Sequence, residues 1–163
     1  MNQGAGSGQV VGGFEARGRH FAIAAASFNG LVVERLVAGA LECFGSHGLG
    51  PEAVTVAWAP GSFELPLLAR RLAATGRYDG VACLGAVIRG ETAHFDFVAA
   101  EAARGIQQVA LETDVPVGFG VLTTDTLEQA LDRAGGKHGN RGWDAATTLM
   151  RMASVLDQLP QKD

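Results

Sequence analysis

Lysine is scarce in this sequence, since only Lys137 and Lys162 occur among its 163 residues and neither lies in or directly after a predicted strand. A buried lysine that forms a Schiff base with a substrate is therefore disfavoured, and a carbonyl-amine condensation would need an amine brought by a substrate. The motifs G-x-G-x-x-G and G-x-x-x-x-G-K-[ST] are also absent. Their absence argues against the usual dinucleotide-binding and nucleotide-binding loops.

Positive charge is also limited. Lys and Arg together number 13 against 17 Asp and Glu, which gives a formal net charge of -4 and a pI near 5.5. This balance provides no basic patch for nucleic acid and no polybasic segment for a membrane surface, so neither is an expected partner. No uncharged apolar stretch approaches the roughly 18 residues of a membrane span, and the first residues lack the layout of a signal peptide. We therefore expect a cytoplasmic protein.

Cysteine occurs only at Cys43 and Cys83, each within an apolar stretch. Two reduced core thiols are a better interpretation than a disulfide or a metal pair. The histidines His20, His47 and His138 lie on separate predicted elements without ligand spacing. No metal site is expected from this pattern.

Apolar residues are abundant by contrast. Hydrophobic residues make up 47% of the chain, charged residues 18%, and the mean hydropathy is +0.15. This surplus predicts apolar surface that subunit interfaces cover. The length fits one domain. We expect a flexible Gly-rich N-terminal arm over residues 1–18, ordering only against a neighbouring subunit, and a single domain over residues 19–163.

Strand and helix patterns alternate along that domain. Apolar runs predict strands at 20–28, 53–59, 79–88 and 116–124, and helical periodicity follows each of them, with a last helix over about 142–159. Thr126 and Gln129 match a capping box at one helix start. Such alternation predicts a doubly wound α/β domain, with a parallel sheet covered by helices on both faces.

Every polar motif falls where a predicted strand ends. These motifs are Ser27 to Asn29, Gly61 to Glu64, Arg89 to His94, and Thr123 with Thr124. Ligands of parallel α/β sheets bind beyond the carboxyl ends of the strands, near the place where strand order reverses. The motifs are therefore expected to meet in one site.

The motif from Arg89 to His94 offers two kinds of chemistry. Its turn leads into a helix start, where unpaired N–H groups and the helix dipole attract an anion such as phosphate. Glycine-containing turns of this kind are common in any α/β fold, however, and the Glu91 side chain would repel an anion if it pointed inward. His94 in the first helical turn suits proton transfer as a neutral base, or it packs under Phe95 and Phe97.

Three phenylalanines lie at or near strand ends. Phe28, followed by Asn29, is well placed to stack on a planar ring at the rim. For Phe63 and Phe119, core packing is the alternative interpretation, and it is the more natural one for Phe119 because that residue lies within a predicted strand.

The motifs together resemble one enzyme family. The segments "ASFN", "PGSFELP", "GAVIRGETAHFDFV", "GVLTTDTLEQALDRAG" and "GNRG" occur in the order and at the spacing found in lumazine synthases of riboflavin biosynthesis. The resemblance covers about residues 20–155, and the stretch 85–98 is the most diagnostic. It implies a flavodoxin-like three-layer sandwich with a four-stranded parallel sheet. It also implies a homopentamer, or an icosahedral shell of sixty subunits, and a reaction without cofactor or metal.

The implied reaction condenses 5-amino-6-(D-ribitylamino)uracil with 3,4-dihydroxy-2-butanone 4-phosphate to give 6,7-dimethyl-8-ribityllumazine. The resemblance assigns proton transfer to His94. It assigns contacts with the pyrimidine and its ribityl chain to Phe28, Ser62, Phe63, Glu64, Ala86, Val87, Ile88 and, from an adjacent subunit, Phe119. It assigns phosphate binding to Glu91, Thr92 and Arg133.

One position departs from the family pattern. Arg141 in "GNRG" stands where lysine is common, which keeps the charge, and the resemblance implies that it pairs with Asp144. The short connection "GGKHGNRG" favours a shell over an isolated pentamer. Two other functions remain compatible with the residues: a flavin-binding or lumazine-binding module without turnover, and a purely structural shell protein.

Overall fold

The structure is a computed structural model, and it describes residues 7–161. Its helices and strands are, in chain order, β1 (Phe21–Ala26), α1 (Gly30–Ser46), β2 (Val54–Ala59), α2 (Leu65–Ala73), β3 (Gly80–Ile88), α3 (His94–Thr113), β4 (Val117–Thr124), α4 (Leu127–Asp132), β5 (Ala134–Gly136), β6 (Gly139–Asn140) and α5 (Arg141–Gln158). Short 3-10 turns over Pro51–Ala53 and Ser62–Glu64 precede β2 and α2.

The first four strands form one parallel sheet in the order β2-β1-β3-β4. The chain adds β2 on one side of β1 and then crosses to place β3 on the other side. Strand order therefore reverses between β1 and β3, and the loops that leave these two strands diverge to opposite faces. The predicted parallel α/β sheet is confirmed, and a crevice opens at this reversal.

Alternate residues of the central strands pack into two separate cores. On β1, Phe21, Ile23 and Ala25 lie in the core under α1 and α5. Ala22 and Ala24 point to the other face, into the core under α2 and α3. Because both faces are buried, these strands are apolar at every position, as expected of a parallel sheet with helices on both sides.

Close approach between α1 and α5 depends on one glycine. A Cβ atom added at Gly142 would overlap the carbonyl oxygen of Leu36 on α1. The buried Gly142 therefore allows the backbones of the two helices to pack directly against each other.

The two cysteines lie on opposite faces of the sheet. Cys43 lies on α1 and Cys83 on β3, and both are buried free thiols. Burial, together with the nearby Asp144 carboxylate, raises the pKa of Cys43 to about 11. Burial alone raises the pKa of Cys83 to about 12. Both groups are therefore thiols rather than nucleophilic thiolates at neutral pH.

Some boundaries differ from the sequence-based prediction. The first strand ends at Ala26, so Phe28 leaves the sheet instead of ending the strand. The helix opened by the Thr126 capping box is confirmed, but it ends at Asp132. A two-stranded antiparallel hairpin, β5 with β6, follows it and was not predicted. These elements are short and glycine-rich, so they carry little hydrophobic periodicity.

The N-terminal segment lies along α5 of its own chain where the structure describes it. The N–H of Gly13 donates to Ser154 Oγ at 3.0 Å, and Gln158 Nε2 donates to the carbonyl oxygen of Val11 at 2.9 Å. Ala16 is buried. Residues 1–6 of the predicted arm lie outside the described residues, and the flexibility of the arm stays a prediction.

Candidate functional site

A cavity of about 260 Å³ occupies the crevice between the carboxyl ends of β1 and β3. It is lined by Phe28 and Asn29, which follow β1, by the last residues of β3, and by the start of α3. Its lining comprises Phe28, Asn29, Ser62, Ala86, Val87, Ile88, Gly90, Thr92, His94, Phe95 and Val98. Seven of the residues that the sequence analysis assigned to a site lie in this one cavity.

Hydrogen bonds to neighbouring backbone hold the rim after β1 in place. The N–H groups of Ser27 and Phe28 donate to the carbonyl oxygens of Ala59 and Pro60 at 2.8 and 3.0 Å. Asn29 has a left-handed backbone with φ of 58°, a conformation that asparagine tolerates better than most residues. The Phe28 ring, although 71% exposed, therefore projects from a fixed backbone.

Asn29 was not among the residues predicted to contact a substrate. Its Nδ2 donates to the carbonyl oxygen of Ala86 at 2.7 Å and so links the rim after β1 to the end of β3. The signal available in the sequence was an Asn-Gly pair directly before a helix, which marks a left-handed turn.

A second cavity of about 540 Å³ adjoins the first and shares Phe28, Ser62 and His94 with it. Phe63 and Glu64 line this second cavity only. Ser62 is buried, whereas Phe63 is exposed. The residues from Ser62 to Glu64 therefore line an extension of the crevice. This extension has room for a chain attached to a ring.

The start of α3 faces the crevice without a side-chain cap. Its N-cap is Ala93, whose side chain accepts no hydrogen bond, and the His94 N–H lies 3.4 Å from Thr92 Oγ1. Because α3 has twenty residues and its start carries no side-chain cap, its free N–H groups and its dipole favour an anion there. Glu91 is exposed and does not line the cavity, so its carboxylate does not occupy this position. His94 itself is exposed to the crevice rather than buried in a core.

Arg89 is the cation next to this helix start, and two of its three guanidinium nitrogens already face carboxylates. Its Nε lies 2.9 Å from Asp125 Oδ1, and its Nη1 lies 3.5 Å from Asp96 Oδ1. Hydrogen bonding to Asp125 is the main cause that raises the pKa of Arg89 above its ordinary value. An anion at Thr92 therefore needs another positive partner.

Arg133 and Phe119 line a third cavity, of about 540 Å³, on the outer side of β4. Neither residue lines the cavities that contain His94. Phe95 separates the two regions and borders both of them. Arg133 donates to the carbonyl oxygen of Gln129 at 3.0 Å, within its own helix. Within one chain, the structure thus brings all predicted site residues except Arg133, Phe119 and Glu91 to the connected crevice.

The expected pairing of Arg141 is confirmed. Its Nη1 lies 3.0 Å from Asp144 Oδ2, on the exposed first turn of α5. Arginine at this position therefore makes the charge contact that the resemblance implied.

Residues 7–161 lack two features. Within this range, no helix is long and apolar enough to cross a bilayer. The same residues contain no group of three or more His, Cys, Asp or Glu side chains that could hold a metal ion.

Known proteins are similar in sequence to this chain over nearly its whole length. The family model described as 6,7-dimethyl-8-ribityllumazine synthase matches residues 18–157. A protein of that name from Nitratidesulfovibrio vulgaris strain Miyazaki F is 50% identical over 150 residues, which cover 92% of this chain and 96% of the relative. The protein of the same name from strain DP4 is 49% identical over the same shares of the two chains.

Proposed function

Because the chain belongs to the 6,7-dimethyl-8-ribityllumazine synthase family, it is a transferase of riboflavin biosynthesis, and we propose that its reaction takes place in the crevice between β1 and β3. The observation that carries this proposal is the single cavity that joins Phe28, the end of β3 and the uncapped start of α3 with His94. The similar proteins give no support to a non-catalytic binding or shell function.

The pyrimidine substrate binds at the inner part of the crevice. Its ring stacks on Phe28, and the backbone of Ala86 to Ile88 holds the ring edge, with the carbonyl of Ala86 kept in place by Asn29. The ribityl chain extends into the adjoining cavity along Ser62, Phe63 and Glu64. The largely apolar walls and a few backbone polar groups are typical of a small-molecule site.

The phosphate of the second substrate binds at Thr92, at the start of α3, where main-chain N–H groups supply the positive dipole. Glu91 belongs to this turn through its backbone, since its exposed side chain does not line the cavity. This placement brings the ketone of the butanone phosphate next to the ring amine.

The first steps follow from this placement. The ring amine attacks the ketone and water leaves, which forms an imine. A proton is then lost beside the imine and the phosphate departs. Holding the two reactants at contact distance supplies most of the acceleration.

His94 moves protons during these steps. It lies exposed in the first turn of α3, between the phosphate position and the cavity that holds the ring. There it accepts the proton lost beside the imine and returns one during ring closure, which expels a second water. General acid-base catalysis of this kind contributes about 10²- to 10⁴-fold.

Arg133 and Phe119 complete the crevice of a neighbouring protomer. They share the outer cavity along β4, and Phe95 separates them from His94 of their own chain. Phe119 is 50% exposed although it lies in a strand, which suits a ring that inserts into an adjacent subunit. Because Arg89 is paired with two carboxylates, Arg133 is the guanidinium available to bind phosphate across the interface.

The assembly proposed is a homopentamer, and a shell of sixty subunits is the larger form. Exposed apolar side chains such as Phe97 and Leu111 on α3 support an assembled state. The short β5–β6 hairpin before α5 supports the shell. A cytoplasmic location is proposed on the two buried free thiols, which suit a reducing compartment.

Mixed oligomers test the shared site. The variants His94→Ala and Arg133→Ala are each expected to be slow in forming fluorescent lumazine. In oligomers assembled randomly from equal amounts of both, about a quarter of the interfaces join an intact His94 to an intact Arg133. Recovery of about a quarter of wild-type activity is expected. If mixing the two variants recovers no activity, while mixed oligomers of either variant with wild type assemble normally, His94 and Arg133 act within one chain.

A further inference from the structure

Arg89 joins three elements at the boundary between the two halves of the proposed site. Its backbone N–H donates to the carbonyl oxygen of Thr124 at 2.8 Å, which extends the β3–β4 pairing by one residue. Its guanidinium bonds Asp125 and Asp96, with Nε 2.9 Å and Nη1 3.5 Å from the respective Oδ1 atoms. The guanidinium carbon also lies 4.4 Å from the centre of the Phe95 ring.

These contacts connect the two catalytic regions. Asp96 is in the first turn of α3, two residues after His94. Asp125 precedes α4, and its N–H donates to Gln129 Oε1 at 2.9 Å, beside the capping box that starts the helix leading to Arg133. Phe95 forms the wall between the two cavities. One planar guanidinium thus contacts the first turn of α3, the Phe95 ring and the residue before the α4 cap.

The same contacts control charge next to the phosphate position. Asp96 lies in the first turn of α3 and Asp125 lies on the other side of Arg89. Both are more than half exposed, and without Arg89 both would lose this ion-pair partner. Carboxylates beside an anion site repel the anion. Arginine suits the task because its rigid fork binds two carboxylates at once, which an ammonium group on a flexible chain does not.

We propose that Arg89 is a positioning residue for the phosphate-bearing substrate: its fork holds Asp96 and Asp125 away from the anion and fixes Phe95 between the His94 and Arg133 regions. This inference rests on the proposed function of the crevice. In this proposal Arg89 acts through the two carboxylates that its Nε and Nη1 contact, and it does not line the crevice itself.

The primary test is Arg89→Met in the assembled enzyme. We expect the KM for the butanone phosphate, and the inhibition constant of inorganic phosphate, to rise about tenfold or more. The KM for the pyrimidine amine should change less than about twofold, because Phe28 and the end of β3 are untouched. Arg89→Lys should give an intermediate value, since lysine keeps the charge without the fork. An equal rise in both KM values would mean that the substitution disturbs the structure of the whole site, and it would overturn the proposal.

A triple variant separates positioning from direct binding. In Arg89→Met combined with Asp96→Asn and Asp125→Asn, no uncompensated carboxylate remains, so the inhibition constant of inorganic phosphate should return to within about threefold of wild type. If phosphate binding stays as weak as in Arg89→Met, the released carboxylates are not the cause of the weakening and the proposal is wrong. An unchanged inhibition constant in Arg89→Met would equally refute it.

Arg19→Met is the matched control. Arg19 also bridges two carboxylates, with Nη2 2.6 Å from Asp157 Oδ2 and Nη1 3.9 Å from Asp79 Oδ1, but it precedes β1 at the opposite end of the sheet. Its loss should leave both substrate KM values unchanged. Particle mass and urea midpoint of each variant establish that the fold is retained. Failure of the proposed function is distinguishable, because wild-type protein would then form no lumazine at all.

Discussion

Replacing Phe28 by alanine should remove substrate affinity while leaving the fold almost unchanged. The ring is 71% exposed, so less than a third of an aromatic side chain of about 200 Å² is buried. At about 25 cal/mol per Å² of buried apolar surface, the loss of folding stability is at most about 1.5 kcal/mol. Stacking of a planar heterocycle on an aromatic side chain contributes about 1–3 kcal/mol. The KM for the pyrimidine amine should therefore rise about 5- to 150-fold.

Initial rates of lumazine formation at varied pyrimidine concentration measure this effect, and urea unfolding followed by circular dichroism measures stability. Phe28→Tyr, which keeps a planar ring, should retain most of the affinity. Phe14→Ala is a suitable control, because Phe14 is also partly exposed but packs against His47 away from the crevice. The reasoning is refuted if Phe28→Ala leaves the KM within twofold of wild type, or if its urea midpoint falls as far as that of Phe21→Ala, whose ring is completely buried.

Three other predictions concern catalysis, packing and titration. His94→Ala should lower kcat about 10²- to 10⁴-fold in single-turnover assays, and complete loss of activity would show that positioning is not the main contribution. Gly142→Ala should destabilise the fold by about 1–3 kcal/mol in urea, because its Cβ overlaps the Leu36 carbonyl, whereas Gly45→Ala meets nothing within 4 Å and should be neutral or stabilising. The Cys83 thiol has a pKa of about 12 when folded against an ordinary 9.0, so its contribution to stability is complete below pH 9 and decreases as the pH rises towards 12. Comparing urea midpoints of wild type and Cys83→Ala at pH 8 and 10.5 measures that decrease, and equal pH dependence in both proteins would contradict it.

The order and type of the main elements could be predicted because burial leaves a strong pattern in them. Both faces of β1 and β3 are covered, so each strand is a continuous apolar run. The helices show apolar positions at helical spacing, and the capping box at Thr126 identified the start of α4. Polar motifs after apolar strands then located the crevice edge, since parallel strands end at a common edge.

Contacts between distant segments could not be predicted in this way. Nothing in the local pattern pairs Arg89 with Asp125, which is 36 residues away, or aims the Asn29 amide at the Ala86 carbonyl. The β5–β6 hairpin was missed because a strand of three residues has no measurable periodicity. Whether Arg133 meets His94 in the same chain depends on the Phe95 side chain and on the twist of the sheet, which a linear motif does not encode.

The placement of Phe95 supports the proposal that an adjacent protomer completes the site. Its ring lies under Arg89 and borders both the crevice and the outer cavity along β4, which Arg133 lines. Arg133 does not line the crevice of its own chain. Arg133 and Phe119 line a cavity along the edge strand β4, and in the proposed assembly an adjacent protomer receives them there. On this proposal, the Phe95 ring divides the two cavities of one subunit, and the second half of each site comes from a neighbour.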